Sequence, residues 1–132
     1  SDQEFERQRQ NQIAAIAEDE QFTALTRQWM SRAQQRQYSY HFDWLGIPII
    51  QHPQDKLVCG DCLSVKQQII CATGVARGGS AIFYASVLDL LHSCGQGDGK
   101  VIAVDIDIRA HNRKAIEQHP LARRIHMIEG SS

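Results

Sequence analysis

Ile69-Ile70-Cys71-Ala72-Thr73-Gly74-Val75-Ala76-Arg77-Gly78-Gly79-Ser80 is the stretch that decides the fold. Ile69 to Ala72 reads as a short apolar strand, and the small residues after it read as a turn. From Ser80 to about His92 the pattern is helical, with Ile82, Phe83, Val87, Leu88 and Leu91 available for burial. A strand that turns into a helix through small residues exposes backbone N–H groups at the positive end of the helix dipole. Where Cβ atoms are missing, a ligand can also approach the main chain. Gly74, Gly78 and Gly79 are expected to provide this.

Working outward, the Cys94-Gly95-Gln96-Gly97-Asp98-Gly99 loop stops that helix, and Lys100 to Asp105 is a second strand. Its near-continuous apolar character is that of a parallel strand covered on both faces. A helix from about Ile108 to Gln118 ends before Pro120, and Arg124 to Ile128 is a third strand leaving through Glu129-Gly130-Ser131-Ser132. The fold class is therefore α/β: a partial Rossmann-like parallel sheet of about three strands with flanking helices, preceded by an N-terminal helical extension. The three strand ends share one carboxyl edge, where open α/β folds bind ligands. Asp105, about thirty residues beyond Gly74, is placed there to accept hydrogen bonds from ribose hydroxyls, and Ser131 and Ser132 lie where an adenine ring would sit. Asp105 and Asp107 point to opposite sides if the strand continues, and Asp105 is the one assigned to the ligand side. Asp107, Arg109 and Asn112 are then expected to cap the following helix.

Upstream of the turn, Leu57, Val58, Cys62 and Val65 suit the buried face of a short helix from about Gln54 to Lys66, despite Gly60 within it. Tyr38 to Pro53 is aromatic first and then punctuated by Gly46, Pro48 and Pro53, which prevents long regular structure. Its aromatics either plug the end of the sheet or line a ligand mouth, and composition favours the plug. From Asp2 to about Gln37, Ile13, Ile16, Ala17, Phe22, Leu25 and Trp29 recur at helical intervals, in one long helix or in two joined near Glu18-Asp19-Glu20. Such a helix lies on a core or on a partner subunit. The division expected is residues 1–37 as the helical extension, 38–53 as an aromatic and Pro-rich connection, and 54–132 as the Rossmann-like half-domain.

A chain of 132 residues fits one compact domain. Its formal charge of −1 offers no basic field that would draw it to nucleic acid or to a membrane surface. Neither a membrane span nor the apolar core of a secretory signal is present, so the expected location is cytoplasmic. Cys59-Gly60-Asp61-Cys62 is the one close cysteine pair, but it lies inside a helical segment rather than at a helix N-terminus, and Cys71 and Cys94 do not complete a zinc set. All four are read as ordinary packed thiols, with a redox dithiol at Cys59 and Cys62 as a minor alternative. The six histidines are scattered without a metal-binding pair, so no metal ligands are assigned. His41 with Asp43 is the pair to watch above a pocket.

Three residues separate Gly74 from Gly78, which fits neither the GxGxxG of dinucleotide sites nor the GxxxxGK of P-loops. The spacing better matches the looser glycine motif of methyltransferases. YSYHFDWLGIPIIQHPQD, TGVARGGSAIF and VIAVDIDIRAHNRKAIEQHPLARRIHMIEGSS together resemble the cephalosporin hydroxylase family, also described as rhamnosyl O-methyltransferase-like proteins, over about Tyr38 to Ser132. The resemblance implies a class I S-adenosylmethionine-dependent O-methyltransferase fold, often with a divalent metal. It implies cofactor contacts at Gly74, Ala76, Arg77, Gly78 and Ser80, ribose contact at Asp105, and adenine-side contact at Gly130, Ser131 and Ser132. Arg77 could equally form a surface ion pair.

The sequence departs from the family in two ways. Ala72 stands where the family usually has a Glu that meets the cofactor's amino group, which weakens the expected affinity for S-adenosylmethionine. No counterpart of the later strands, which would carry metal and substrate sites, follows Ser132, so the chain alone is expected not to methylate. The missing neighbour of the first strand is expected to leave Ile69, Ile70 and Cys71 as an open edge for homo-oligomerisation. Two functions stay open: the cofactor-binding portion of an O-methyltransferase, or a non-catalytic interaction protein retaining that core.

Overall fold

A computed structural model describes residues 1–63 and 69–130, with backbone alone at 59–63. The reading of Cys59 and Cys62, and that of Val65, therefore lies outside the described side chains. Two units are present, Ser1–Tyr38 and Ser39–Ser132. In the first, helix α1 spans Asp2–Glu18 and helix α2 spans Glu20–Gln35. Asp19 breaks the run: its backbone is extended, and its carboxylate accepts the Phe22 N–H at 2.9 Å, capping α2. Of the two arrangements the periodicity allowed, two helices is the one found. Ile13, Ile16, Phe22, Leu25 and Trp29 stay exposed on them.

The second unit begins with a turn of 3-10 helix, Tyr38–Tyr40 at its boundary, and then a hairpin of strands β1 (Phe42–Trp44) and β2 (Ile47–Ile49). Leu45 and Gly46 connect them with φ of +49° and +84°, the signature of a type I′ turn whose twist matches the strands. The hairpin was not expected, because three-residue strands are too short to carry an alternating pattern. Trp44 packs edge-on to Phe83 at 5.0 Å and donates Nε1–H to Ser86 Oγ at 2.9 Å, fastening the hairpin to the outside of the next-but-one helix. His119 secures the turn: Nδ1 accepts the Leu121 N–H, which leaves Nε2–H to donate to the Leu45 carbonyl.

Helix α3 (Pro53–Leu63) corrects the expected buried face. Leu57 and Val58 are 78% and 62% exposed, and among the described side chains of α3 the one turned inward is Lys56, 7% exposed. The βαβ rhythm then runs β3 (Ile69–Thr73), α4 (Gly79–Ser93), β4 (Lys100–Asp105), α5 (Ala110–Glu117), a 3-10 turn (Pro120–Arg124) and β5 (Ile125–Glu129). The sheet is parallel with order β3-β4-β5, so the chain is α/β with the Rossmann-like half-sheet that the apolar runs anticipate.

Register divides the sheet into unlike faces. Ile70, Ala72, Val101, Ala103, Ile125 and Met127 share one face and pack with Ile82, Ala85 and Leu88 of α4 and Ile116 of α5. Val101, Ala103, Ile82 and Ile116 are all fully buried, and burying such side chains contributes about 1.5–3 kcal/mol each for the larger ones. The opposite face corrects the expectation of two-sided cover: Ile102 and Val104 are only half-buried, and Cys71, His126 and Ile128 are exposed. Cys94, at the C-cap of α4, is exposed as well, so neither Cys71 nor Cys94 is the packed thiol expected.

One buried cation ties the far end of the unit together. Arg124 is 3% exposed and donates to Asp89 Oδ1 (3.0 Å), Asp98 Oδ1 (2.7 Å) and the Gly99 carbonyl (2.9 Å). Burial acts to lower its pKa, but the hydrogen bonds and charges of Asp98 and Asp89 outweigh it and hold the guanidinium charged.

Candidate functional site

At the carboxyl edge of the sheet the glycines divide their work. Gly74 has φ of +80°, a conformation that strains residues with a Cβ, and a Cβ built there would meet nothing within 4 Å. Its N–H donates to the Val104 carbonyl at 2.9 Å, joining the start of the turn to β4. Gly78 and Gly79 serve packing rather than ligand approach, which corrects the role expected for their missing Cβ atoms. A Cβ on Gly78 would come within 2.6 Å of Ile116, and one on Gly79 within 2.3 Å of the Pro48 carbonyl oxygen. Helix α4 can therefore start against α5 and the hairpin only where two residues lack side chains.

The Asp105 carboxylate sits at the end of β4, across from the turn. Its Oδ2 accepts the Val75 N–H at 2.8 Å, and its Oδ1 the Asp107 N–H at 3.4 Å. These backbone donors, Val75 foremost, hold its pKa below the usual carboxylate value. Asp105 is ionised at neutral pH and keeps acceptor capacity beyond those two bonds, since a carboxylate offers about four lone-pair sites. Asp107, Arg109 and Asn112 do not cap α5. Arg109 is the N-cap residue without a side-chain cap bond, and Asn112 instead donates Nδ2–H to the Ala76 carbonyl at 2.9 Å, pinning the glycine turn. Glu129, at the end of β5, accepts the Ile108 N–H at 2.8 Å, and Gly130 N–H donates to the Asp105 carbonyl at 2.8 Å. The three strand ends are thus bound to one another through the backbone.

Two hollows meet at this edge. The larger, about 390 Å³, runs between β3 and α4, from Ile70 and Ala72 past Tyr84 and Gln51 to Ser80. The smaller, about 240 Å³, is bounded by Asp105, Ile106 and Gly130. Thr73 and Gly74 line both, so the two hollows adjoin at the start of the turn, and together they are called the trough. Of the residues expected at the site, Gly74, Ser80, Asp105 and Gly130 line this trough. Ala76, Arg77 and Gly78 lie beyond its lining: Ala76 at φ of +46° faces Asn112, Gly78 packs on Ile116, and Arg77 is exposed with no ion pair among the described residues. Ser131 and Ser132 lie outside the described residues. His41 and Asp43 do not line the trough.

Sequence reasoning missed Gln51, Lys56, Tyr84 and Glu129. Gln51 stands in one of the family-like words, but nothing in its residue type marked it as lining a cavity. Lys56 reaches Ser80 Oγ at 3.3 Å and lies 4.8 Å from the ring centres of both Phe83 and Tyr84. Among the described residues, no group of three or more His, Cys, Asp or Glu could hold a metal ion. No helix among them is long and apolar enough to cross a membrane.

A half-sheet of parallel strands, a glycine turn at the switch into α4 and a trough along the carboxyl edge define the Rossmann-like, methyltransferase-like class of α/β proteins. The family model described as Rhamnosyl O-methyltransferase/CmcI matches residues 36–132, and the chain belongs to that family. No curated protein and no solved structure matches it.

Proposed function

We propose that the trough binds S-adenosylmethionine, and that the chain serves O-methyl transfer as the cofactor-binding portion of a methyltransferase-like protein. The observation that carries this reading is the pair of hollows that adjoin at Thr73 and Gly74, with the Asp105 carboxylate lining one and Ser80 at the start of α4 lining the other. Asp105 would accept from the ribose hydroxyls, and the open Gly74 backbone would lie against the cofactor. Gly130 would border the adenine side, with Ser131 and Ser132 beyond it. The residues present fit such a ligand, since the trough offers an ionised acceptor, a hydroxyl and an apolar wall of Ile70, Ala72 and Ala103. S-adenosylmethionine supplies an activated methyl group when bound. No metal ligand set is proposed.

Calorimetric titration with S-adenosylhomocysteine tests the reading. Binding is expected, and Asp105→Asn is expected to weaken it about tenfold or more, the scale of a hydrogen bond to a charged group. Asn retains an acceptor for Val75 N–H while removing the charge. Absence of binding by well-folded protein would overturn the proposal. It would favour a second reading, a non-catalytic assembly protein. That reading is supported by strand β3, which has a neighbour on one side only among the described residues and leaves Ile69 63% exposed.

A further inference from the structure

We propose that Asn112 of α5 is a positioning residue for the trough: its clasp on the Ala76 carbonyl holds the glycine turn in the form that seats the Asp105 carboxylate beside the ligand. The inference rests on the trough being the cofactor site, and it assigns the upkeep of that site to a helix that does not line it.

The turn alternates in conformation. Gly74, Ala76 and Gly78 have φ of +80°, +46° and +93°. Glycine adopts such angles at little cost, but Ala76 carries a Cβ that crowds the following carbonyl oxygen in the left-handed region. A residue strained in this way persists only where its surroundings hold it there. At Ala76 the hold comes from α5, since Asn112 donates Nδ2–H to the Ala76 carbonyl at 2.9 Å. Asn112 and Ile116 are four residues apart and share one face of that helix. Ile116 occupies the space that a Cβ on Gly78 would need, so the same face of α5 meets the turn at both Ala76 and Gly78. The approach to α5 is itself fixed: Ile108 is 5% exposed and donates its N–H to Glu129 at 2.8 Å.

On its other side the turn meets Asp105. The Val75 N–H reaches Oδ2 at 2.8 Å. Val75 foremost, then Asp107, and to a lesser degree Ala76 and Ile106, donate backbone hydrogen bonds that hold the Asp105 pKa below its ordinary value. The peptide plane is rigid, so the two backbone dihedrals of Ala76 are all that separates its N–H, on the Asp105 side, from its carbonyl, which Asn112 grips. Without the grip, Ala76 is free to relax to negative φ, and that change reorients the donors that seat the carboxylate. Asn112 thus acts on the ligand through Ala76 and Asp105 without touching it.

Calorimetric titration of the full chain with S-adenosylhomocysteine tests the inference in two backgrounds. In the wild-type chain, Asn112→Ala is expected to weaken binding about fivefold or more, the strain of one left-handed residue expressed as an affinity. In an Ala76→Gly chain the left-handed conformation needs no clasp, and the same substitution is expected to change the affinity by less than about twofold. That loss of effect separates positioning from a merely structural role, because a residue that only stabilises the fold would weaken both chains alike. Asn112→Leu keeps the bulk of the side chain without an N–H to donate, and it makes the same comparison should Asn112→Ala not fold. Wild-type binding that Asn112→Ala leaves untouched, or weakens equally in both backgrounds, overturns the inference and leaves cofactor binding standing. Failure of the well-folded wild-type chain to bind overturns the proposed function and the inference with it.

Discussion

Single atoms decide what the glycine turn can do. The motif Gly74-Val75-Ala76-Arg77-Gly78-Gly79 reads as one ligand cradle, yet its three glycines answer to two demands. Gly74 alone opens on the trough, whereas Gly78 and Gly79 make room for Ile116 and for the Pro48 carbonyl. Gly79→Ala should therefore cost about 3 kcal/mol or more by denaturant unfolding, because its Cβ meets backbone that cannot move aside cheaply. Gly74→Ala should cost about 1–2 kcal/mol, the strain of a left-handed residue, while weakening S-adenosylhomocysteine binding more than it weakens the fold. A Gly79→Ala chain as stable as wild type would refute the packing role. The distinction was invisible in the sequence because spacing reports which residues lack a Cβ and not what each Cβ would strike. Lys56 was hidden for a related reason. Periodicity turns Leu57 and Val58 inward, but the inward site of α3 is walled by two aromatic rings and a hydroxyl, a setting made for an ammonium.

At the scale of elements, legibility followed the density of apolar residues. Strand β4 lies where the run Val101-Ile102-Ala103-Val104 puts it, and α4 where five apolar residues recur on one side. The hairpin escaped notice because its strands are three residues long, and its anchors, Trp44 to Ser86 and His119 to Leu45, join residues far apart in sequence. Arg124 escaped notice likewise. It was expected to open the third strand, yet it ends the preceding 3-10 turn and draws Asp89 of α4 and the loop residue Asp98 onto one guanidinium. Arg124→Met should destabilise the unit by about 2 kcal/mol, held down because both carboxylates keep contact with water. The pH dependence distinguishes this clasp from simple packing. The Arg124 hydrogen bond, then its charge, holds the Asp98 pKa below the usual value. A depressed carboxylate contributes stability that is fully present above its unfolded pKa of about 3.9 and is lost as pH falls through the lower folded value. Thermal unfolding across pH 2–6 should thus show a shallower acid limb in Arg124→Met than in wild type. Parallel acid limbs would mean that Asp98 takes no part.

For the whole molecule, the uncovered apolar surface is the feature that the family and fold leave unassigned. Cys71, Ile102, Val104 and Ile128 line the open face of the sheet, Ile69 stands at its β3 edge, and α1 and α2 carry Ile13, Ile16, Phe22, Leu25 and Trp29 exposed. Contiguous exposed apolar surface marks interfaces, and a strand edge adds unpaired backbone groups that only another strand satisfies well. The assembly reading places a second copy at the β3 edge. Sedimentation velocity across a concentration series should then give a rising average mass, and Ile69→Lys should lower it, since a charged edge residue blunts strand pairing. A paired substitution, Leu25→Glu on α2, separates the two surfaces: if it dissociates the assembly while Ile69→Lys does not, the helices and not the strand edge make the contact. A monodisperse monomer at high concentration removes self-association from either surface and leaves the trough over Gly74 as the molecule's one proposed point of recognition.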